Sequence, residues 1–440
     1  MIKRAGRPRP YEKYMKKIIL FLFIVLLPAL AHAKIYIVID EVSTKKFPIA
    51  IPALQTLDGG HNELTENVTT LLRKDMRLAG IFRVLDEASY LEKDRGLENI
   101  DFSKWKAIEA YALVKGIVEP KGGGKALVEL RLYDTETEQL LVGKQYLVFS
   151  KDYPVAVHKF TDELMLALTG VKGPFNSRVV AACGRSNARQ IYTFAMDGTE
   201  KSILTKTKSN NISPNWAPDG SRVAFTSFNN FYPEIFTVGV DGKGFKPLTR
   251  NAATNLTPAF SPNGSQIAFA SSKSGDTELY LMDLSGKISN QLTKTYNIDV
   301  SSAWSPDGSQ IVFASERAGN LHLFVMDVAS GSVSRLTYTG YQNDQPDWSP
   351  DGRKIIFTAR DRGAFDLFVM NADGSLIQRI TRDEGNNESP TWSPDGRYIV
   401  FSSGRRGGSG IYVSMADGDN QTLIPGTESC VNPDWGPRLQ

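Results

Sequence analysis

The chain has 440 residues, with ordinary apolar (41%) and aromatic (10%) fractions and no long polar tract; this excludes a disordered chain and exceeds what one hydrophobic core usually serves. The formal charge of +3 is misleading: the first thirty-three residues carry seven Lys/Arg against Glu12, so 3 − 6 leaves the remainder near −3, a poor match to a nucleic-acid binder. Two cysteines, Cys183 and Cys430, exclude a disulfide-dense scaffold and a Cys-based zinc cluster.

Lys16 and Lys17 precede the apolar run 18–27, then Pro28 and Ala31-His32-Ala33. A basic start, a short apolar core and an A-x-A site predict a signal peptide over 1–33, cleaved after Ala33, with Met15 as an alternative start. The apolar run is short for a membrane span, and no later segment predicts one. Export would place the protein in the periplasm.

Residues 34–170 do not repeat and predict a compact α/β domain. Ile35, Ile37 and Ile39 alternate with Tyr36 and Val38, as in a strand. Leu64, Val68, Leu71, Leu72, Met76 and Leu78 have helical spacing over 63–79, with Gly80 as a stop. A second helix is predicted over 102–112 and a strand over 112–118. A hairpin-like pair follows at 126–133 and 140–149, and a last helix at 155–168. Lys172-Gly173-Pro174 suits a linker, placed at 171–177.

From 178 to 440 the chain is periodic. W-A-P-D-G at Trp216 is followed by F-S-P-N-G at Phe260, by W-S-P-D-G at Trp304, Trp348 and Trp392, and by a degenerate W-G-P at Trp435. The intervals are 44, 44, 44, 44 and 43 residues (260−216, 304−260, 348−304, 392−348, 435−392). Pro and Asp at the central turn positions and Gly after them suit a type I turn closing a bulged hairpin. Strand-like runs flank each copy, and a threonine closes each repeat at Thr205, Thr249, Thr293, Thr337 and Thr381. Four short strands per repeat make one propeller blade. Sets of second-to-fourth strands begin at Arg178, Arg222, Gln266, Gln310, Lys354 and Tyr398, so the prediction is an all-β six-bladed β-propeller. The first set lacks an innermost strand and the last turn-motif strand lacks followers, so the C-terminal strand should close the first blade. The motif tryptophans read as core, and the motif aspartates, such as Asp307 and Asp351, as turn formers.

Enzyme signatures are missing: no G-x-S-x-G elbow, no S-x-D-x-G box and no phosphate-binding loop occurs, and Gly122-Gly123-Gly124 reads as a hairpin loop. Beyond the signal, only His61, His158 and His322 remain, none with a metal-ligand partner nearby in sequence. The expectation is therefore no catalytic residue, no cofactor and no metal.

Together, the signal, the start Lys34-Ile35-Tyr36-Ile37-Val38-Ile39-Asp40 and the propeller ending in P-D-W-G resemble the TolB family of the Tol–Pal system. Phe260 and Asn263 depart modestly from the motif. The resemblance implies a periplasmic, non-enzymatic scaffold linking the inner-membrane TolA–TolQ–TolR machine to the lipoprotein Pal. Such a scaffold supports outer-membrane integrity and constriction during division. It implies that the propeller receives Pal and that residues 34–40 reach TolA, where a free strand could add to a partner's sheet; those residues equally suit an ordinary strand of the α/β domain. Two alternatives stay open: a generic periplasmic propeller that binds other envelope proteins, and a propeller hydrolase.

Two expectations concern positions. Counting outward from the turn of an intact blade pairs Asn211 with Ser227, and the same alignment sets Cys430 opposite Cys183, within disulfide reach. Six loops should encircle one channel mouth, carrying Asn211, Asn255, Asp299, Asn343 with Asp344, Asn387 with Glu388, and Glu428. This polar, somewhat acidic ring is the expected Pal site, with local turn chemistry as the alternative.

Overall fold

The computed structural model describes residues 46–92, 96–360, 363–382 and 385–439. The expected signal peptide and the expected strand over 34–40 lie outside them. All described residues fall in one compact unit.

The N-terminal domain is a five-stranded sheet of β1 (Phe47–Ala50), β2 (Phe82–Val84), β3 (Ala112–Lys121), β4 (Lys125–Asp134) and β5 (Gln139–Phe149), in the order β2-β1-β3-β4-β5. β1 pairs in parallel with β2 and β3, and β3, β4 and β5 form an antiparallel meander. Helix α1 (Glu63–Leu78) begins in a capping box: the Asn62 side chain accepts from Thr65 N, and Thr65 Oγ1 accepts from Asn62 N. Its buried stripe of Val68, Leu71, Leu72 and Met76 faces the core. Helix α2 (Phe102–Ala107) is shorter than the 102–112 predicted. Glu109 takes a left-handed φ of 57°, and Ala110 N donates back to Trp105 O, turning the chain early into β3. Helix α3 (Tyr153–Thr169) packs against α1, β4 and β5 and ends at Gly170 with φ 75°.

The segment expected to be a linker is fastened rather than loose. Phe175 N and Asn176 N donate to the Asp162 carboxylate at 2.8 and 3.1 Å, and Arg438 donates to the carbonyls of Gly173 and Lys172 at 2.8 and 2.7 Å.

Six four-stranded blades follow. The second, for example, runs Asn211–Trp216, Arg222–Ser227, Glu234–Gly239 and Lys246–Pro247 from the channel outwards. The fourth and fifth share one parallel bridge, Leu321 to Gln342. The C-terminal strand Cys430–Arg438 pairs with Ser177–Cys183 and completes the first blade, as predicted. Trp435 Nε1 donates to Ser177 Oγ at 2.7 Å within this closure. Gly436 replaces the Ala or Ser of other copies because a Cβ there would lie 2.8 Å from the Trp216 ring.

The repeated residues have visible work. In the motif turn, Asp307 Oδ1 accepts from Ser305 Oγ and Ser309 N, and Ser305 Oγ accepts from Gln310 N. Each closing threonine accepts a backbone N–H fourteen residues upstream; Thr205, Thr249, Thr293, Thr337 and Thr381 do so at 2.9 Å. The fourth strand is thereby fixed to the third. In the cores between blades, Phe225, Phe269, Phe313, Phe357 and Phe401 are fully or almost fully buried.

Candidate functional site

Each innermost strand runs from the interblade loops at one channel mouth to the motif turns at the other. Midway, each carries a left-handed residue: Ser213, Thr257, Ser301, Gln345, Ser389 and Asn432, with φ between 47° and 53°. The pairing register shifts by one at this place in every blade, a β-bulge repeated around the ring. These residues line a central cavity of about 260 Å³ together with the prolines that follow most of them and Asp347 and Asp434.

In four of the six copies the residue before the motif aromatic ties neighbouring blades together; Ala259 and Ala303 fill the other two places. Asp434 accepts from Trp216 N at 2.7 Å, Asn215 from Phe260 N at 2.8 Å, Asp347 from Trp392 N at 2.9 Å and Thr391 from Trp435 N at 3.1 Å. Four of the six interblade seams are thus held by hydrogen bonds as well as by apolar packing. Asp347 and Asp434 face the cavity but are sheltered from bulk solvent. Burial pushes Asp347 up to about 7, against hydrogen bonds from Trp392 and Trp348. Burial, reinforced by the nearby Asp347, pushes Asp434 up to about 8 despite its bond from Trp216.

The expected ring of amides and carboxylates requires correction. Asn211, Asn255, Asp299, Asn343 and Asn387 are all buried. Their side chains brace the loops around them rather than facing outwards. Asn211 Nδ2 donates to Thr207 Oγ1 at 2.9 Å and to Arg189 O at 3.1 Å, while its Oδ1 accepts from Ser227 Oγ at 2.7 Å. Asn255 donates to Asn251 Oδ1 and Ala253 O, each at 2.8 Å. Asp299 is ion-paired to Arg317 at 2.9 Å. Asn343 donates to Thr339 O at 3.0 Å, and Asn387 accepts from Arg405 Nη2 at 3.0 Å. Asp344 and Glu388 are half-buried, with carboxyls held above the usual range by burial and, for Glu388, also by Asp344. Of the eight, only Glu428 is exposed.

What this mouth does present is aromatic and basic. Loops between second and third strands, and between blades, expose Phe231 (92%), Tyr296 (95%), Tyr338 and Tyr341. Arg335 stacks on Tyr338 at 4.8 Å and Arg360 on Tyr341 at 5.5 Å. Among the described residues, exposed Arg185, Lys206, Lys208, Arg250, Lys273, Lys294 and Arg382 stand on the same loops, against exposed Asp276 and Glu428. Sequence reading chose this mouth but did not name these side chains, because the aromatics fall outside the repeated motif; their presence in loops was the available signal. The opposite mouth, carrying Asp307 and Asp351, lies on the side against which the N-terminal domain packs. Tyr398 donates to Ala79 O there at 2.9 Å, and Arg397 to Thr169 Oγ1 at 2.9 Å.

The segment expected to reach TolA, Lys34, Ile35, Tyr36, Ile37, Val38, Ile39 and Asp40, lies outside the described residues. Cys183 and Cys430 stand directly opposite, with Cα atoms 4.0 Å apart and a disulfide joining them. Beside the turn Ala217 N donates to Arg222 O, and the bulge at Ser213 shifts the register by one, so that Asn211 meets Ser227.

Comparison with known proteins gives a consistent set of likenesses. The TolB amino-terminal domain family matches residues 35–141, and the TolB beta propeller domain family matches 165–366 and 341–439. A Tol-Pal system protein TolB from Desulfosudis oleivorans is 34% identical over 220 residues, covering 48% of this chain and 50% of its own. Another from Syntrophotalea carbinolica is 34% identical over 157 residues, covering 35% and 36%. The chain thus spans about half the length, or less, of these curated relatives. The crystal structure of TolB from Acinetobacter baumannii superposes with a TM-score of 0.79 at 24% identity, covering 89% of this chain and 97% of that one, which shows the fold.

Proposed function

Because the chain belongs to the TolB family, with both domains of that family matched, we propose that it is a non-enzymatic periplasmic adaptor of the Tol–Pal system. In this reading it joins the TolA–TolQ–TolR complex of the inner membrane to the Pal lipoprotein, and so supports outer-membrane integrity and invagination at division. The propeller receives Pal on its loop mouth, and residues 34–40 reach TolA.

The observation that carries the reading is the two-faced propeller. One mouth has the N-terminal domain docked against its first and sixth blades, while the other exposes aromatic anchors among basic side chains, the composition of protein-binding patches. No described helix is long and apolar enough to cross a membrane. The test is capture of the mature chain on immobilised periplasmic domains of Pal and of TolA. Both should retain it, and deletion of residues 34–40 should abolish capture by TolA while leaving Pal binding intact. Failure of the intact chain to bind either domain would overturn the adaptor role.

A further inference from the structure

Three buried side chains from distant parts of the chain meet at the seam between the domains: Asp75 of α1, His158 of α3, and Asp197 in the turn after the third strand of the first blade. They are 83 and 39 residues apart in sequence (158−75, 197−158), yet one ligand atom from each lies within 4.8 Å of the others. His158 Nε2 is 3.8 Å from both Asp75 Oδ1 and Asp197 Oδ1. All three side chains are at most 1% exposed.

Two polar atoms that face each other in this cluster lack hydrogen-bond partners, Asp75 Oδ1 and His158 Nε2, and so does Asp197 Oδ2. Elsewhere the same side chains are well supported. Asp75 Oδ2 accepts from Thr161 Oγ1 at 3.1 Å, and Asp197 Oδ1 accepts from Thr199 N and Oγ1 at 2.9 and 2.7 Å. On the far side of the imidazole, Nδ1 lies 3.4 Å from Glu200 Oε1, and Glu200 is ion-paired with Arg178. A carboxylate beyond a histidine fixes its tautomer with Nε2 as a lone pair, the arrangement that supports metal-bound histidines.

We propose that Asp75, His158 and Asp197 bind a divalent transition-metal cation, with Zn²⁺ as the best match, and that this ion pins the N-terminal domain to the first blade. A proton on Nε2 competes with the metal: although burial opposes it, Asp75, Asp197 and Glu200 raise the imidazole to about 10. A protonated ring would ion-pair with both carboxylates at 3.8 Å, a separation too long for a hydrogen bond to either. Lys74 Nζ, 3.8 Å from Asp197 Oδ2, directs a 2.6 Å hydrogen bond to Asp197 O instead. A divalent cation neutralises both carboxylates and engages the nitrogen lone pair together. Zinc–ligand bonds of about 2.0–2.1 Å set tetrahedral ligand atoms about 3.4 Å apart, so the two 3.8 Å separations must close by about 0.4 Å and the carboxylate pair, within 4.8 Å, by at most about 1.4 Å. The imidazole disfavours Ca²⁺ and Mg²⁺, which prefer oxygen. Enclosure on all sides makes the role structural: the ion joins α1, α3 and the propeller, so binding favours the docked arrangement. The proposal concerns this chain's own seam and does not rest on the adaptor reading.

The experiment uses untagged mature protein stripped with EDTA, dialysed against ZnCl₂, gel-filtered and assayed for bound metal by mass spectrometry, alongside Co²⁺ absorption. Wild type should retain about one Zn²⁺ per chain, show Co²⁺ d–d bands and melt at a higher temperature with Zn²⁺. His158→Gln and Asp75→Asn, verified as folded by circular dichroism, should lose all three effects. Glu200→Gln should still bind, with affinity lower by roughly 10–100-fold. If folded wild type takes up neither Zn²⁺ nor Co²⁺, the cluster is a proton-bearing network and the proposal is wrong. Equal uptake by His158→Gln would equally overturn it.

Discussion

Cys183 and Cys430 occupy in the first blade the cross-strand positions that Ser227 and Asn211 hold in the second. In the second blade Ser227 Oγ donates to Asn211 Oδ1 at 2.7 Å, and in the third Ser271 Oγ donates to Asn255 Oδ1 at 2.8 Å. The blade assembled from the two ends of the propeller carries a covalent link where those blades carry a hydrogen bond. Denatured, unreduced exported protein should accordingly titrate no free thiol. Reduction should cost about 2–5 kcal/mol, because it frees a long loop. The double change Cys183→Ser with Cys430→Asn rebuilds the pair of the second blade and should recover part of that loss, whereas Cys430→Ala should not. Urea melts of the three forms check the order.

Ending the chain at Thr427 should open the ring. The lost strand pairs with Ser177–Cys183, supplies the Asp434 that accepts from Trp216 N, and supplies the Arg438 that clasps Gly173 and Lys172. Its loss also leaves an unpaired sheet edge, a liability for aggregation. Cooperative melting at the wild-type temperature would be incompatible with this closure.

These two cases show what the sequence made legible. A strict 44-residue period exposes any strand that is missing or surplus, so blade number, closure and the cysteine positions could be counted. Direction could not be counted. Asn211 and its equivalents stand at loop ends, and whether such a side chain turns outwards or braces its own loop depends on a third strand's carbonyl, such as Arg189 O. The helix expected to reach residue 112 stopped at Ala107 because buried Trp105 receives the returning chain. Asp75, His158 and Asp197 were invisible as a group, since only the docking of two domains brings them together.

On the loop face, Phe231→Ala with Tyr296→Ala should weaken binding to the Pal periplasmic domain by tenfold or more, as loss of exposed aromatic anchors commonly does. Lys206→Glu with Lys208→Glu should lower the association rate and flatten its salt dependence. Asp307→Lys with Asp351→Lys, at the opposite mouth, should leave both unchanged. Calorimetry and surface plasmon resonance read these quantities, and equal affinity in all variants would place the interface elsewhere.

Asp299→Lys should act on folding rather than on recognition. Asp299 is buried and paired with Arg317, so reversal sets two cations together inside the fourth blade. Breaking a buried pair costs on the order of 3–5 kcal/mol. A variant melting near the wild-type temperature would show that this carboxylate reaches solvent.

The channel carboxylates make a pH prediction with a definite sign. Asp434 and Asp347 are raised to about 8 and about 7 in the folded protein, above the value near 3.9 of an unfolded aspartate. A raised folded value means that the folded state holds protons the unfolded chain has released. Their contribution is therefore full below about pH 4 and is lost as pH rises through about 7 to 8. Asp434→Asn removes one of these protons while keeping an acceptor for Trp216 N. Asn215 already does that work one blade on, accepting from Phe260 N at 2.8 Å. The variant should match wild type near pH 4.5 and exceed it at pH 9 by on the order of 1–3 kcal/mol. Thermal melts of both proteins at the two pH values measure the gap, and a gap that stays constant with pH would show that Asp434 titrates as an ordinary, solvated carboxylate.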